Sequence, residues 1–566
     1  MTTQLLGRVW MILTALALSL AWLLPNHYPP WTSFHADAWA TLVLALLAVA
    51  VAVRGRKTSA LRAMDLYLLG VAVLPLVQWT LGLVTSFGIA WICSAYLLGL
   101  AFAVQAGRKW EMDSPGQCAD FLFLSIIVAA TLSTALQLYQ LFGPEELGAW
   151  VMSAPGKQRL FANVGQPNQL ASLQLLALLG CSWFFSRGRI KASPAIALAA
   201  FLLLGVALTG SRTAWVNVAI LLICSVALRK RLASPHFVRV SVWLAIYFAA
   251  LVMLMPTFYE LLSAYMDIQP PEMVRLAQDV RLSIWKQFLD ASTFRPMWGF
   301  GWGQTAKANF LAVEQASNNY GIYNSTHNIF LDLIVWNGYP IALVLIALAA
   351  IWLVRRLQHP IETEALHLFA FIGVLSVHSM LELPLHYAIF LLPFGMVLGV
   401  LDVPAHTKSA TLRDRAFSVL FLLVGMVIAV VTMRDYLQIE RSYMGLRFEV
   451  RKLQTDIPST PPDTWVLSQF QDYFKIARIV PHPNMGGQEL QWMRNSIGTV
   501  PSPQNIYNLA AALALNGLPG EAQRWQRSLC LTMADVSCEQ AKQLWAKERY
   551  AERTGVEWSQ LRKTEK

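Results

Sequence analysis

Apolar runs of about eighteen residues or more, the length a helix needs to cross the hydrocarbon core of a bilayer, recur through the first 433 positions and then stop. Inside lipid every backbone N–H and C=O must be satisfied within the protein, so a chain built of such runs crosses as helices. Hydrophobic residues make up 56% of the chain and charged residues only 14%, outside the range of a soluble globular domain. The chain is therefore expected to be an all-α, polytopic membrane protein. The expected crossings are 8–24, 36–53, 64–84, 88–106, 118–142, 168–186, 194–210, 212–228, 238–255, 329–354 with a break, 364–383, 387–403 and 416–433, about thirteen helices.

The formal charge of +11 would suit a nucleic-acid binder if the cations formed one patch, but they sit in alternate short connectors. Arg54, Arg56, Lys57 and Arg62 fill one; Arg187, Arg189 and Lys191 another; Arg355 and Arg356, then Lys408, Arg413 and Arg415, two more. The intervening connectors 25–35, 84–87 and 383–386 carry no Lys or Arg. This is the positive-inside pattern, which places the basic connectors in the cytoplasm and excludes nucleic acid as the reason for the charge. The stretch Val9–Leu24 lacks a small-residue cleavage site and reads as a first membrane helix with a cytoplasmic N-terminus. The outer face then holds two long loops, 143–167 and 256–326, and the C-terminal tail.

The domain reading follows: 1–433 is the membrane domain with its large outer loop 256–326, and 434–566 is a small helical domain. Within the tail, Asn505 to Ala514, a Gly517–Pro519 turn and Glu521 to Leu531 resemble one helix–turn–helix of the tetratricopeptide sort. Cys530 and Cys538, eight apart on the oxidising side, either form a local disulfide or stay as thiols. Cys93, Cys118, Cys181 and Cys224, in or at the ends of apolar helices, read as small core residues.

Four stretches at the outer helix ends carry chemistry. In Asn163-Val164-Gly165-Gln166-Pro167-Asn168-Gln169 the side-chain amides suit sugar hydroxyls and Gly-Pro sets a turn, with helix capping by Asn168 as the plain alternative. In Ser211-Arg212-Thr213-Ala214-Trp215 an arginine opens a helix, where it binds an anion or snorkels to headgroups. Arg281-Leu282-Ser283-Ile284-Trp285 precedes Pro296-Met297-Trp298-Gly299-Phe300-Gly301, a guanidinium fork suited to diphosphate followed by glycines that let backbone approach a bulky ligand. Last, Thr326-His327-Asn328 puts an ionisable side chain where a membrane segment begins, a costly place for a group without a task or a partner. Asp332 falls one turn beyond Asn328, and Asn337-Gly338-Tyr339-Pro340 should break that helix. Trp285, Trp298 and Trp302 are open to sugar stacking or packing alike.

Together these stretches resemble the O-antigen ligase and polymerase superfamily, whose members have an arginine-bearing outer loop ending in Pro-x-x-Gly-x-Gly before a His-Asn at a helix start. Asn163 to Asn168 with His378-Ser379-Met380-Leu381-Glu382-Leu383-Pro384-Leu385-His386-Tyr387 is similar to the bacterial O-oligosaccharyltransferases of the PglL type, a likeness spanning about 160–400. The resemblance implies an enzyme of the bacterial inner membrane that moves a preassembled oligosaccharide from undecaprenyl diphosphate to Ser or Thr of a periplasmic or pilin-like protein. It implies no metal and no cofactor. His327 and Glu382 are then the catalytic candidates, and Arg212, Arg281, Gln166, Asn168, Asn328 and Tyr387 the substrate-binding ones.

Elementary chemistry agrees with that division. A lipid diphosphate leaving group needs its growing charge stabilised, which two arginines do without Mg²⁺. The acceptor hydroxyl must lose a proton as it attacks, a task for an imidazole. Glu382 pairs with Arg212 or Arg281, orients His327, acts as the base, or only braces helices; His378, one turn earlier, reads as a hydrogen-bonded core histidine. Ligation to lipid A core, glycan polymerisation, and transport of lipid-linked sugar without chemistry remain the alternatives. Few charges lie at mid-depth to form a transport path.

Overall fold

The computed structural model describes residues 3–558 apart from 59, 143–147, 155–158, 228–234, 267–279, 316–320, 359–361, 500 and 534. Lys157 and Arg275, which fall in the two long loops expected on the outer face, lie outside the described residues. The apolar part comprises α1 (Thr3–Ser19), α2 (Phe34–Arg54), α3 (Ala63–Thr80), α4 (Phe87–Asp113), α5 (Gln117–Phe142), α6 (Pro167–Ser186), α7 (Ala192–Leu208), α8 (Arg212–Ala227) and α9 (Pro235–Met266). Two loop helices follow, α10 (Val280–Ser292) and α11 (Thr305–Gln315), then α12 (Ile329–Gln358), α13 (Thr363–Ser379), α14 (Ala388–Leu401) and α15 (Leu412–Val450). The tail adds α16 (Ser468–Arg478), α17 (Gly487–Thr499), α18 (Pro503–Leu515), α19 (Pro519–Thr532), α20 (Asp535–Lys547) and α21 (Tyr550–Thr554).

Among the described residues, eight helices are long and apolar enough to cross a membrane, and five shorter apolar helices occupy the other expected segments. The pair α7 and α8 is two helices, parted at Thr209–Ser211. The largest departures from the expected ends are at α9, which runs on to Met266, and α15, which continues past 433 to Val450 without a break. Helix propensity carries α15 on, because nothing between Arg434 and Val450 is a Pro and its single glycine, Gly445, is tolerated. The strands among the described residues are two-residue pieces, Lys57–Thr58 against Lys408–Ser409, which tie two basic connectors antiparallel.

Two compact units emerge: residues 1–69, 98–278 and 351–429, and residues 70–97, 279–350 and 430–566. In the first, α5 and α6 pack together, α13 lies on α6, and α14 packs on α2. At the connector ends, Arg108 is 3% exposed and reaches both Asp65 and Asp402 at 2.7 Å, while Arg62 also meets Asp402 at 2.9 Å. Paired this way, buried charges are tolerable. Cys118 and Cys181 are buried as expected, whereas Cys224 is exposed.

In the second unit the break in α12 has an unexpected partner. Gly338 has φ 73° and ψ 169°, so the carbonyls of the preceding turn lose their helical donors. Phe300 N–H donates to Val335 O at 2.8 Å, Gly301 N–H to Trp336 O at 3.0 Å, and Tyr339 N–H to Pro296 O at 2.7 Å. Gln78 completes the repair: its Nε2 donates to Trp336 O and Asn337 Oδ1, and its Oε1 accepts from Trp302 N–H. Gly299 therefore lets the loop backbone approach the chain's own broken helix, and Gly301 lets it approach the turn at Leu83, which corrects the expectation that these glycines serve a bulky ligand. A Cβ on Gly299 would lie 2.6 Å from Asn337 N, and one on Gly338 2.5 Å from Met297 C.

The tail has its own core around Ile506, Leu509 and Leu513 of α18 and Leu529 of α19, which form the expected helix–turn–helix. Ser502 caps α18 by accepting from Asn505 N–H. Cys530 and Cys538 form a disulfide. The loop helix α11 packs on α17 and α19, and Phe310 from it joins the tail core against Trp525, ring centroids 5.4 Å apart.

Candidate functional site

In the first unit, the Asn163–Gln169 stretch and the Glu382–Tyr387 stretch meet at the helix ends away from the basic connectors. Gly165, at φ 81°, turns the chain so that Pro167 can open α6. Asn168 then sits inside the first turn, and Gln166 is the capping residue, without a side-chain cap bond. Asn168 is thus released from the capping role weighed above: its Nδ2 donates to Glu382 Oε1 at 3.0 Å, and Gln166 Nε2 reaches Glu382 Oε2 at 3.5 Å. Glu382, 8% exposed, follows the C-terminus of α13, where its N–H still donates to His378 O. Two amides converging on one buried carboxylate hold it in a fixed place. His378 is fully buried and bonded through Nδ1 to Ser172 Oγ at 2.8 Å, as a core histidine should be. The Tyr387 hydroxyl faces the Gln169 side chain, with Asp37 and Glu382 nearby.

His27, which no motif pointed to, lies under this turn with Nε2 2.8 Å from Asn163 O. Burial lowers its pKa from 6.5; the Asn163 carbonyl opposes that shift, and His35 adds to it. The unfolded chain therefore binds the proton first as pH falls. Detergent-solubilised protein should be fully stable above about pH 6.5 with respect to this group, and its Tm should fall as pH drops from there toward the lowered folded value. The His27→Gln variant should lack this loss; thermal unfolding followed against pH in both proteins checks it.

Arg212 opens α8 after a turn tied by its own neighbours. Ser211 Oγ accepts from Ala214 N–H, Thr209 Oγ1 from Ser211 N–H, and Gly210 O from Arg159 Nη1. Arg212 itself is half-buried.

In the second unit, His327 has φ 56°, a left-handed conformation uncommon for any residue with a Cβ. The turn is held from below. Asp332, 1% exposed, accepts Ser325 Oγ–H at 2.8 Å and Thr326 N–H at 2.9 Å, and Ser325 Oγ in turn accepts His327 N–H at 3.0 Å. Asn328 Oδ1 accepts from Phe330 N–H and Leu331 N–H, so this side-chain oxygen caps α12. Asn328 was expected at the substrate; the structure uses its oxygen to start the helix. His327 is left half-exposed at the tip, edge-on to Tyr323 at 6.3 Å between centroids. Backbone strain of this kind persists where the surroundings over-determine it, and clusters at reacting groups.

Arg281 stands in the first turn of α10, half-buried, above Ile284 and Phe288, which bury that helix. Among the loop tryptophans, Trp302 packs against Trp336 in the core, ring centroids 5.3 Å apart and tilted by 36°, while Trp298 is 62% exposed and remains open to a ligand. The described residues contain no cluster of His, Cys, Asp and Glu able to hold a metal.

What sequence reading missed is the support: His27, Asp37 and Gln78, polar residues in or beside apolar helices. Asp37 and Gln78 had a readable signal, since a lone Asp or Gln in a membrane helix demands a partner.

The family description "O-Antigen ligase" matches residues 197–346, which hold Arg212, Arg281, His327 and Asn328. A second, "Virulence factor membrane-bound polymerase, C-terminal", matches 366–534, which hold Glu382, Tyr387 and most of the tail. The chain is 29% identical over 532 residues to the General O-oligosaccharyltransferase of Acinetobacter baylyi (strain ATCC 33305 / BD413 / ADP1), covering 91% of this chain and 90% of that one. It is also 29% identical over 253 residues to the ComP-specific O-oligosaccharyltransferase of the same organism, 45% of this chain and 46% of that one. No solved structure matches.

Proposed function

We propose, for a chain that belongs to the O-antigen ligase family and is a glycosyltransferase of its O-oligosaccharyltransferase branch, that it transfers a preassembled glycan from undecaprenyl diphosphate to Ser or Thr of periplasmic or pilin-like proteins. The reaction takes place at the periplasmic face of the bacterial inner membrane, with about thirteen crossings, the N-terminus inside and the tail outside. The observation that carries this reading is the His327 turn: an imidazole presented in a strained backbone conformation, braced by a buried carboxylate, at the mouth of an apolar helix.

In the step itself the acceptor oxygen bonds to the anomeric carbon as the bond from that carbon to the diphosphate oxygen breaks. His327 orients the hydroxyl and takes its proton. Arg212 and Arg281 take up the charge that collects on the departing diphosphate. Gln166, Asn168 and Tyr387 contact the glycan or acceptor around Glu382, and the support for that role is the pair of amides that fix this carboxylate.

Purified protein, a lipid-linked glycan and three acceptors test the reading: a pilin-like peptide, lipid A core and a second lipid-linked glycan. Glycan on the peptide is the expected result. Transfer to lipid A or to the second glycan instead would overturn the acceptor, and movement of lipid across the bilayer without transfer would overturn the chemistry. In the same assay Asp332→Ala, which removes the bonds to Ser325 and Thr326 that hold the His327 turn, should lower kcat on the order of 10²-fold with a smaller change in KM, since a misplaced reacting group costs about that much. Asp332→Asn keeps one acceptor oxygen and should retain more of the rate; equal loss in the two variants would count against the brace.

A further inference from the structure

The connector between α1 and α2 carries no Lys or Arg and none of the four motifs, yet both of its ends are bonded to residues that flank the candidate site. At one end, His27 Nε2 lies 2.8 Å from Asn163 O, and a Cβ on Gly165 would meet His27 Nδ1 at 2.9 Å, so the ring lies against that glycine. Asn163 is locked in turn: its Nδ2 donates to Leu23 O at 2.8 Å and Trp150 O at 2.7 Å, and its Oδ1 accepts from Met152 N–H at 3.0 Å. The chain leaving this knot is Gly165-Gln166-Pro167-Asn168.

At the other end, Trp31 Nε1–H donates to Ser33 Oγ at 3.1 Å, and Ser33 Oγ–H to Asp37 Oδ2 at 2.8 Å. Asp37 Oδ1 then accepts Ile389 N–H at 3.2 Å. Ile389 is in the first turn of α14, two residues beyond Tyr387, where N–H groups lack helical partners and the helix end favours a negative charge. Asp37 is 4% exposed, so this bond is shielded from water.

We propose that residues 23–37 are a positioning frame for the transfer site. His27 sets the turn that carries Gln166 and Asn168, and Asp37 sets the turn that carries Tyr387. Neither residue touches the substrate; each acts through backbone it holds. This rests on the reading that Gln166, Asn168 and Tyr387 serve the reaction.

The test uses the full chain in detergent and two readouts, hydrogen–deuterium exchange and transfer kinetics. His27→Gln places an amide N–H where Nε2 was, whereas His27→Asn is too short to reach the Asn163 carbonyl, and both keep a polar side chain for folding. His27→Asn should speed exchange in 161–170, with little change in the tail, and lower kcat about tenfold with a smaller change in KM. His27→Gln should restore both. Asp37→Ala should do the same to 384–391, and Asp37→Asn, which keeps Oδ1, should restore it. Exchange that stays at wild-type rates in His27→Asn and Asp37→Ala overturns the frame. Faster local exchange with undiminished transfer overturns instead the assignment of Gln166, Asn168 and Tyr387 to the reaction.

Discussion

Replacing His327 should lower glycan transfer by about 10²–10⁴-fold, the usual contribution of a positioned acid–base group. The informative variant is His327→Asn. Asparagine tolerates the left-handed conformation that this position adopts, so the turn on Asp332 survives while the proton acceptor is gone. His327→Ala leaves the turn without asparagine's tolerance of this conformation and removes the side chain's bulk as well, so it is the less clean comparison. Initial rates on a lipid-linked glycan and acceptor peptide, alongside Tm in detergent, separate the two effects. A His327→Asn protein that transfers glycan at the wild-type rate would end the case for this imidazole.

The largest effect on stability should come from Gly338→Ala. With φ 73° and ψ 169°, the residue lies in a region that essentially only glycine enters, at a cost of about 1–3 kcal/mol for anything else. The added Cβ would also lie 2.5 to 2.7 Å from Met297 C, Met297 O and Pro296 O, rigid backbone that cannot step aside. Moving that segment releases the three bonds that repair the helix break, each leaving buried groups unpaired at about 1–3 kcal/mol. The sum is on the order of 4–6 kcal/mol or more, enough to prevent recovery of folded protein. Gly303→Ala is the control: its φ is also 73°, but the new Cβ meets only side chains, Ile89 Cγ2 at 3.2 Å and Cys93 Sγ at 3.4 Å. Yield from membranes and Tm should rank wild type, Gly303→Ala, then Gly338→Ala; equal behaviour of the two variants would refute the interlock.

Much of this was readable in the sequence because membrane helices announce themselves by length and composition. The apolar segments, the separation of α7 from α8, the break at Gly338 and the left-over polar face at His327 and Asp332 all follow from local pattern. The motif residues were also legible, since Gln166, Asn168 and Glu382 are polar where lipid or core would favour apolar side chains. Their mutual bonding was not, because which amide meets which carboxylate is decided by packing over more than two hundred intervening residues. Nor was the role of Gly299 and Gly301. A glycine-rich run signals close approach, and only the fold says that what approaches is the backbone of α12 at Gly299 and the turn at Leu83 at Gly301. His27 was invisible for a plainer reason: a single histidine in a short polar connector looks like any solvated loop residue.

The seat of Phe310 bears on how the tail can be handled. An excised 434–566 would leave a hole beside Trp525 where a ring from the loop belongs, and an apolar face bare to water. A graft of the tail onto another carrier must therefore bring residues 305–315 with it. The same stitch gives anything that grips the tail a mechanical handle on the segment leading to His327.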